Sequence, residues 1–505
     1  MHRLPVRRPL RALSALALSA TLAVPAVARA ADWPVFGHDP ARTGVAAGDT
    51  SVTPANVATL RRAWTASFGE VADSTPILLS RVRMPRGGAR ALLFQTTRHG
   101  TTYAVDAHSG AIVWRFATPG PAILSITPGD ANSKITTSTP VADPSSRYVY
   151  VPSTNGYVHK LDAATGAELR AAGFPLRITL MPDVEKDASA LNLANGYLYA
   201  VTSGYIGDQG PYDGHVVTAR LTDGATHVYN SLCGNIHQLV LDSSYNKDSR
   251  SSCPHRESGI WARSGTVVDP DPSMGGRIYV ATGNGAFDAN RGGADYGDSV
   301  LALSRDGARL LDSFTPANYD ALDQTDADLG STAPVLLPRE PRSRTPLMAV
   351  QGGKDNTIRL LNRAHLGGVH GELQDLTVSG AVLFSAPAAW RDGSGQTWVY
   401  IGDGSGTTAL RLVTDARGAS HLVVAWSVGG SATSPVVANG IVFVSGGGNL
   451  KALDARSGRL LWTSTSGVAG GTIGDIHWES PIVVNCFVYI SDESGHLTAY
   501  TVRPR

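Results

Sequence analysis

Cys233 and Cys253 carry the first legible chemistry in the chain, because each has a histidine close behind it. The two stretches read "CGNIH", with His237, and "CPH", with His255. Two thiols and two imidazoles are a conceivable zinc set, but their spacing matches no common zinc pattern. The chain has three cysteines. These two flank a polar loop, so a Cys233–Cys253 disulfide is the expected pairing in an oxidising compartment. Cys486, inside the apolar run "IVVNCFVYI", is expected to be a buried core residue. A second concentration of ligand atoms lies in "NGAFDANRGGADYGDS". There Asp288, Asp295 and Asp298 offer carboxylates of the kind that bind calcium, although the same composition suits a solvated loop.

Charge narrows the classes of partner. Lys and Arg total 43 against 42 Asp and Glu, a net charge of +1, and no basic block stands out, so nucleic acid is not an expected partner. The first thirty residues read as a secretory signal peptide. Arg3, Arg7, Arg8 and Arg11 precede the apolar "ALSALALSATLAVPAV", and Ala28 and Ala30 stand before a cleavage point. No cysteine follows to carry a lipid anchor, and no later run is long and apolar enough for a helical span. The expectation is a periplasmic or secreted protein, with one domain over residues 31–505.

The elements that must position any site are written as a repeat. "YAVDAHSGAIVWRF" at 103–116 returns as "KALDARSGRLLW" at 451–462 and, worn down, as "HKLDAATGAEL" at 159–169. A strand after a Ser/Thr-Pro or similar step precedes each copy, as at Pro76, Pro140, Pro334, Pro387, Pro435 and Pro481. Ser189 and Gly265 mark two further starts without proline. About eight starts, roughly fifty to seventy residues apart, each opening four short antiparallel strands, are the signature of a β-propeller. The fold class is therefore all-β, an eight-bladed β-propeller of four-stranded blades. In the Asp-x-x-(Ser/Thr)-Gly turn, aspartate caps and glycine takes the positive φ. Trp114 and Trp462, just after that turn, are expected to pack between blades. "DWPVFGHD" is expected to add a strand to the last blade and close the ring.

The first strand of each propeller blade lines the central channel, so residues at unit starts are the candidates for chemistry. Trp478 and Glu479 in "DIHWESP" should reach the channel, with His477 beside them in a capping or surface role.

The repeated turn, the opening "DWPVFGHDPARTG" and the stretch "GIWARSGTVVDP…RIYVATGNG" resemble the pyrroloquinoline quinone (PQQ) repeat propellers. That group includes quinoprotein alcohol dehydrogenases, polyvinyl alcohol dehydrogenases and outer-membrane assembly propellers. The resemblance implies an exported dehydrogenase that oxidises a small alcohol or a polymer with PQQ and calcium. It equally admits a non-catalytic propeller that binds protein or polymer. Asn284 in "ATGNGAF" stands where the dehydrogenases carry a calcium-ligating asparagine. Asp328 in "QTDADLGSTAP" corresponds to their catalytic aspartate, with Asp326 as the alternate. Lys354 in "GGKDN" resembles the lysine that contacts the quinone oxygens. Trp261 in "GIWARSG" is the candidate ring on which the quinone stacks, with Trp478 another cofactor-binding candidate. The calcium glutamate of the family has no counterpart, and Asp208, Gln209 or Asp213 stands in its stretch. The family's adjacent cysteine pair and any Cys-x-x-Cys-His haem motif are also missing, so electrons would leave to a separate acceptor.

Overall fold

The molecule is described from a computed structural model, which covers residues 1–2, 31–46, 51–118, 135–205, 210–242, 252–378, 381–466 and 470–502. The expected signal peptide falls almost wholly outside these residues, and so does Asp208. Among the described residues no helix is long and apolar enough to cross a membrane.

Eight antiparallel blades form the propeller ring. Blade 1 is representative, with strands Ile77–Arg83, Ala89–Thr96, Thr102–Asp106 and Ile112–Phe116. Blades 2 to 8 open on the inner strands Val141–Ala142, Asn192–Ala194, Val267–Val268, Val335–Leu336, Ala388–Arg391, Val436–Ala438 and Ile482–Val484. Each begins directly after the Pro-type step read from the sequence. Blade 3 gains Glu185–Asp187, blade 4 gains Gly368–Val369 and blade 7 gains Val45–Ala46 as a fifth strand.

The repeated turn works as its residues dictate. Asp106 accepts hydrogen bonds from the backbone N–H groups of His108 (3.2 Å) and Ser109 (3.0 Å) and from the Ser109 hydroxyl (2.9 Å). Gly110 then follows with φ +75°. Trp64 of blade 8 lies on that glycine, where an added Cβ would meet the indole at 2.6 Å. Its Nε1 donates to the Ala107 carbonyl at 3.2 Å. Trp114 packs in the same way on Gly166 and donates to Ala163 O (3.0 Å), and Trp426 does so on Gly458 and Ala455 O (3.1 Å). Trp462 donates to Leu60 O at 3.1 Å. The hairpin therefore recurs because the tryptophan of one blade needs the glycine of the next.

An N-terminal strand does close the ring, but it is Arg61–Ser67, antiparallel to His496–Thr501 on the outside of blade 8. "DWPVFGHD" is placed differently. Trp33 exchanges backbone hydrogen bonds with Leu78 (both 2.8 Å), and the carbonyls of Pro34, Pro40, Thr43 and Gly44 accept from Ala142, Val268, Ala389 and Val437 (2.7–2.9 Å). The segment thus runs across the channel-side edges of inner strands from blades 1, 2, 4, 6 and 7, covering donors that an open edge would leave unpaired. Its prolines suit this role and would break an outer ladder. Arg42 is buried here and donates to the carbonyls of Phe36 (2.8 Å), Ala190 (3.0 Å) and Leu191 (2.9 Å). Burial lowers its pKa to about 9.

Candidate functional site

One mouth of the channel holds a cavity of about 420 Å³. Its wall follows a register of the repeat. In five of the eight blades the residue three positions before the last residue of the Pro-type step lines the cavity: Thr137 in blade 2, Ala188 in blade 3, Arg263 in blade 4, Phe384 in blade 6 and Trp478 in blade 8. Asp73 holds the same position in blade 1. Lys186, Trp261, Asp326, Asp328, Lys354 and His477 also line it, with Ser203, Gly204 and Tyr205.

Blades 4 and 5 deliver the sequence-predicted constellation to this mouth. The connection through Tyr319–Gln324, a short helix, leads to Asp326 and Asp328. The Asn284 N–H donates to Asp328 Oδ1 at 2.8 Å, and its side-chain Nδ2 donates to Asp326 Oδ1 at 3.3 Å. Lys354 Nζ is ion-paired to both aspartates, and its backbone N–H donates to Asp328 O at 3.0 Å. Gly283 permits the approach, because a Cβ there would lie 2.3 Å from Asp328 Oδ1. The Asn284 side-chain oxygen is buried and has no hydrogen-bond partner.

Burial sets the electrostatics. It lifts Asp328 above the usual carboxylate range, against the opposing pull of Lys354. Burial also acts against the Lys354 ammonium, yet the Asp328 charge and the hydrogen bonds to both aspartates raise its pKa overall. Behind them Asp298 accepts the Leu329 N–H at 2.9 Å. Burial, with the charges of Asp328 and Asp323, pushes that carboxyl up to about 8.

Aromatic rings and cations bridge the mouth. Lys354 Nζ lies 5.3 Å from the centre of the Trp261 ring. Trp261 meets Phe384 at 5.8 Å and the edge of Trp478 at 6.3 Å. The Arg263 guanidinium sits 5.1 Å from the Trp478 ring. On the far side His477, 4.3 Å from Trp478 ring to ring, is paired to Asp73 (3.3 Å) and Glu493 (3.6 Å). Glu479 is fully buried, and burial with the Asp73 charge pushes its pKa well up.

Asn284, Asp326, Asp328, Lys354, Trp261 and Trp478 are thus brought together, and Asp208 lies outside the described residues. Asp213, the other aspartate of that stretch, is buried, and its N–H donates at 2.8 Å to Glu185, itself buried and paired with His215. Cys233 and Cys253 are bonded to each other, with Cα atoms 5.9 Å apart, so the zinc arrangement has no sulfur ligands. Cys486 is only partly buried, at the turn after the inner strand of blade 8. Asp295 is engaged by His255 at 2.6 Å and by the Cys233 N–H at 2.7 Å. Sequence reasoning missed Arg263, Phe384, Asp73 and Glu493. The step-minus-three register was the available signal for the first three.

Two family models match the chain. The β-propeller domain of glucose/ethanol/alcohol dehydrogenase covers residues 33–367, and outer membrane protein assembly factor BamB covers residues 387–503. Among solved structures, the fold is similar to the quinohemoprotein alcohol dehydrogenase ADHIIG from Pseudomonas putida HK5. The two are 13% identical with a TM-score of 0.64, over 94% of this chain and 82% of that one. A europium-containing methanol dehydrogenase gives 14% identity and 0.64 over 93% and 98%. BamB from Moraxella catarrhalis gives 12% and 0.50 over 88% and 99%. At these identities the likeness is one of fold. No curated protein sequence matches.

Proposed function

Because the chain belongs to the family of glucose/ethanol/alcohol dehydrogenase β-propeller domains, we propose that it is an exported quinoprotein dehydrogenase oxidising an alcohol at the channel mouth with PQQ and calcium. The observation that carries this reading is the convergence of Asn284, Asp328 and Lys354 beside the Trp261 ring. The Cys233–Cys253 disulfide is compatible with export.

The donor set fits the cofactor. Asn284 Oδ1 is an orphaned buried oxygen of the type a hard cation takes, and Asp328 adds a carboxylate beside it. Trp261, Phe384 and Trp478 offer faces to a planar ring system, and Arg263 and Lys186 offer positive charge to its carboxylates. When bound, PQQ with calcium supplies a two-electron acceptor for the hydride of the alcohol carbon. Asp328 accepts the hydroxyl proton, and its burial brings its basicity closer to the working pH. Lys354 orients that carboxylate and gives positive charge to the quinone oxygens.

A second reading has its own support. Lys354 is already paired by two aspartates, and residues 387–503 match an assembly-factor model. The same mouth would then hold a protein or polymer segment.

Dye-linked oxidation of a panel of alcohols, after loading with PQQ and calcium, separates the two. The dehydrogenase reading expects turnover that falls by at least about 100-fold in Asp328→Asn. No turnover on any alcohol by protein shown to hold the cofactor favours the scaffold.

A further inference from the structure

The far side of the mouth carries a second ligand set, unlike the first in its chemistry. Asp73, at the start of blade 1, and His477 and Glu493, from blade 8, each offer one ligand atom, and the three atoms lie within 4.8 Å of one another. His477 Nδ1 stands 3.3 Å from Asp73 Oδ2 and 3.6 Å from Glu493 Oε1. A tetrahedron of metal–ligand bonds near 2.1 Å has edges of about 3.4 Å, so these separations match a shared ion as well as they match an ion pair.

Two further observations point to a cation. Asp73 is fully buried, and its Oδ1 has no hydrogen-bond partner. Glu479, also fully buried, has an unpartnered Oε1. Glu479 thus adds a third carboxylate close to Asp73 and Glu493, and the buried Arg263 is a cation that electrostatically faces Asp73 and Glu479. Its two Nη atoms donate to the carbonyls of Ala188 (3.2 Å) and Thr137 (2.8 Å) rather than to either carboxylate. The set is also held in place. Glu479 Oε2 accepts the N–H groups of His477 (2.8 Å) and Trp478 (3.0 Å), which fixes the peptide that carries the imidazole.

We propose that Asp73, His477 and Glu493 bind a divalent transition-metal ion of the zinc type at the blade 8–blade 1 rim. One imidazole with two carboxylates suits such ions, whereas calcium prefers oxygen alone. His477 lines both the main cavity and a neighbouring one of about 130 Å³. An open coordination position there gives an anionic ligand an anchor across the mouth from Lys354. The proposal does not depend on the quinone.

Zinc titration of chelator-stripped protein by calorimetry, with cobalt as an absorbing probe, is the test. The site predicts one tight equivalent and cobalt ligand-field bands. Both should be weakened by at least about tenfold in His477→Ala and Glu493→Gln and unchanged in Asn284→Ala. Glu493 is partly exposed, so Glu493→Gln is expected to fold, which circular dichroism checks. Absence of zinc binding up to about 1 mM, or binding by folded Glu493→Gln and His477→Ala as tight as the parent's, overturns the proposal.

Discussion

The two halves of the ring are joined by different means. From blade 6 round to blade 2, successive blades are locked by Trp426, Trp462, Trp64 and Trp114, each donating to a carbonyl on the neighbouring blade or its lead-in. Between blades 3 and 5 polar links replace the indoles. Tyr199 donates to Arg305 O at 2.6 Å and Thr218 to Asp306 O at 2.7 Å. Arg363 of blade 5 forms a buried pair with Asp269 of blade 4 at 2.8 Å, and Tyr279 donates to Arg363 O at 2.9 Å. The half without indole locks is the half that brings Asn284, Asp328 and Lys354 to the mouth. Where the hairpin repeats faithfully, an indole joins a tyrosine at the junction, as Tyr400 and Tyr489 donate to the same Ala455 and Ala107 carbonyls at 3.0 Å. Where long connections carry site residues, the junction rests on hydrogen bonds and charge.

The sharpest way to break this contrast is at the buried pair. Arg363→Met leaves Asp269 buried without its cation, and a cost of about 3–5 kcal/mol is expected in denaturant unfolding. A cost near zero would mean that the pair does not hold blades 4 and 5 together. The indole locks should answer to volume instead. Gly166→Ala drives a Cβ to 2.8 Å from Trp114 at φ +73°, and about 1–3 kcal/mol is expected. Gly196→Ala, with a similar φ of +81° and nothing within 4 Å, carries the backbone strain alone and should cost less. Equal costs would remove the lock from the account.

A smaller, pH-dependent effect belongs to the site half. Asp298 has a folded pKa raised to about 8, above its unfolded value, mainly by burial. The folded state therefore holds a proton that the unfolded chain has lost, and stability falls as pH rises from the unfolded pKa towards 8. Asp298→Asn removes that loss. Its melting temperature relative to the parent should climb between pH 5 and about 8 and then level off. A difference independent of pH would contradict the buried, protonated carboxyl.

The sequence made the repeat legible because each turn depends on local chemistry, as Asp106 and Gly110 illustrate. The order Asn284, Asp328, Lys354 was legible by a different route, the resemblance of their short stretches to those of the dehydrogenase propellers, which carry their site residues in the same order. The closing strand was not. "DWPVFGHD" holds the more conspicuous aromatics, but Pro34, and Pro40 just beyond it, suit it to covering inner-strand edges. Trp64 in "RRAWTAS" is the residue that repeats the role of Trp114. Arg263 and Phe384 became visible only after strand starts were aligned, since the register, not the residue type, aims them at the mouth. Glu493 lies in an ordinary-looking turn, and only closure of the ring sets it beside Asp73, more than four hundred residues earlier.

The central claim is that the blade 4–blade 5 side of the mouth is a cofactor site. Its most direct test is the melting temperature of purified protein titrated with PQQ, with and without calcium. The account predicts a calcium-dependent rise, equivalent to about 2.7 kcal/mol at a hundredfold excess over Kd, that is lost in Lys354→Ala and in Asn284→Ala. No shift at saturating cofactor, or a shift in both variants as large as the parent's, would contradict it.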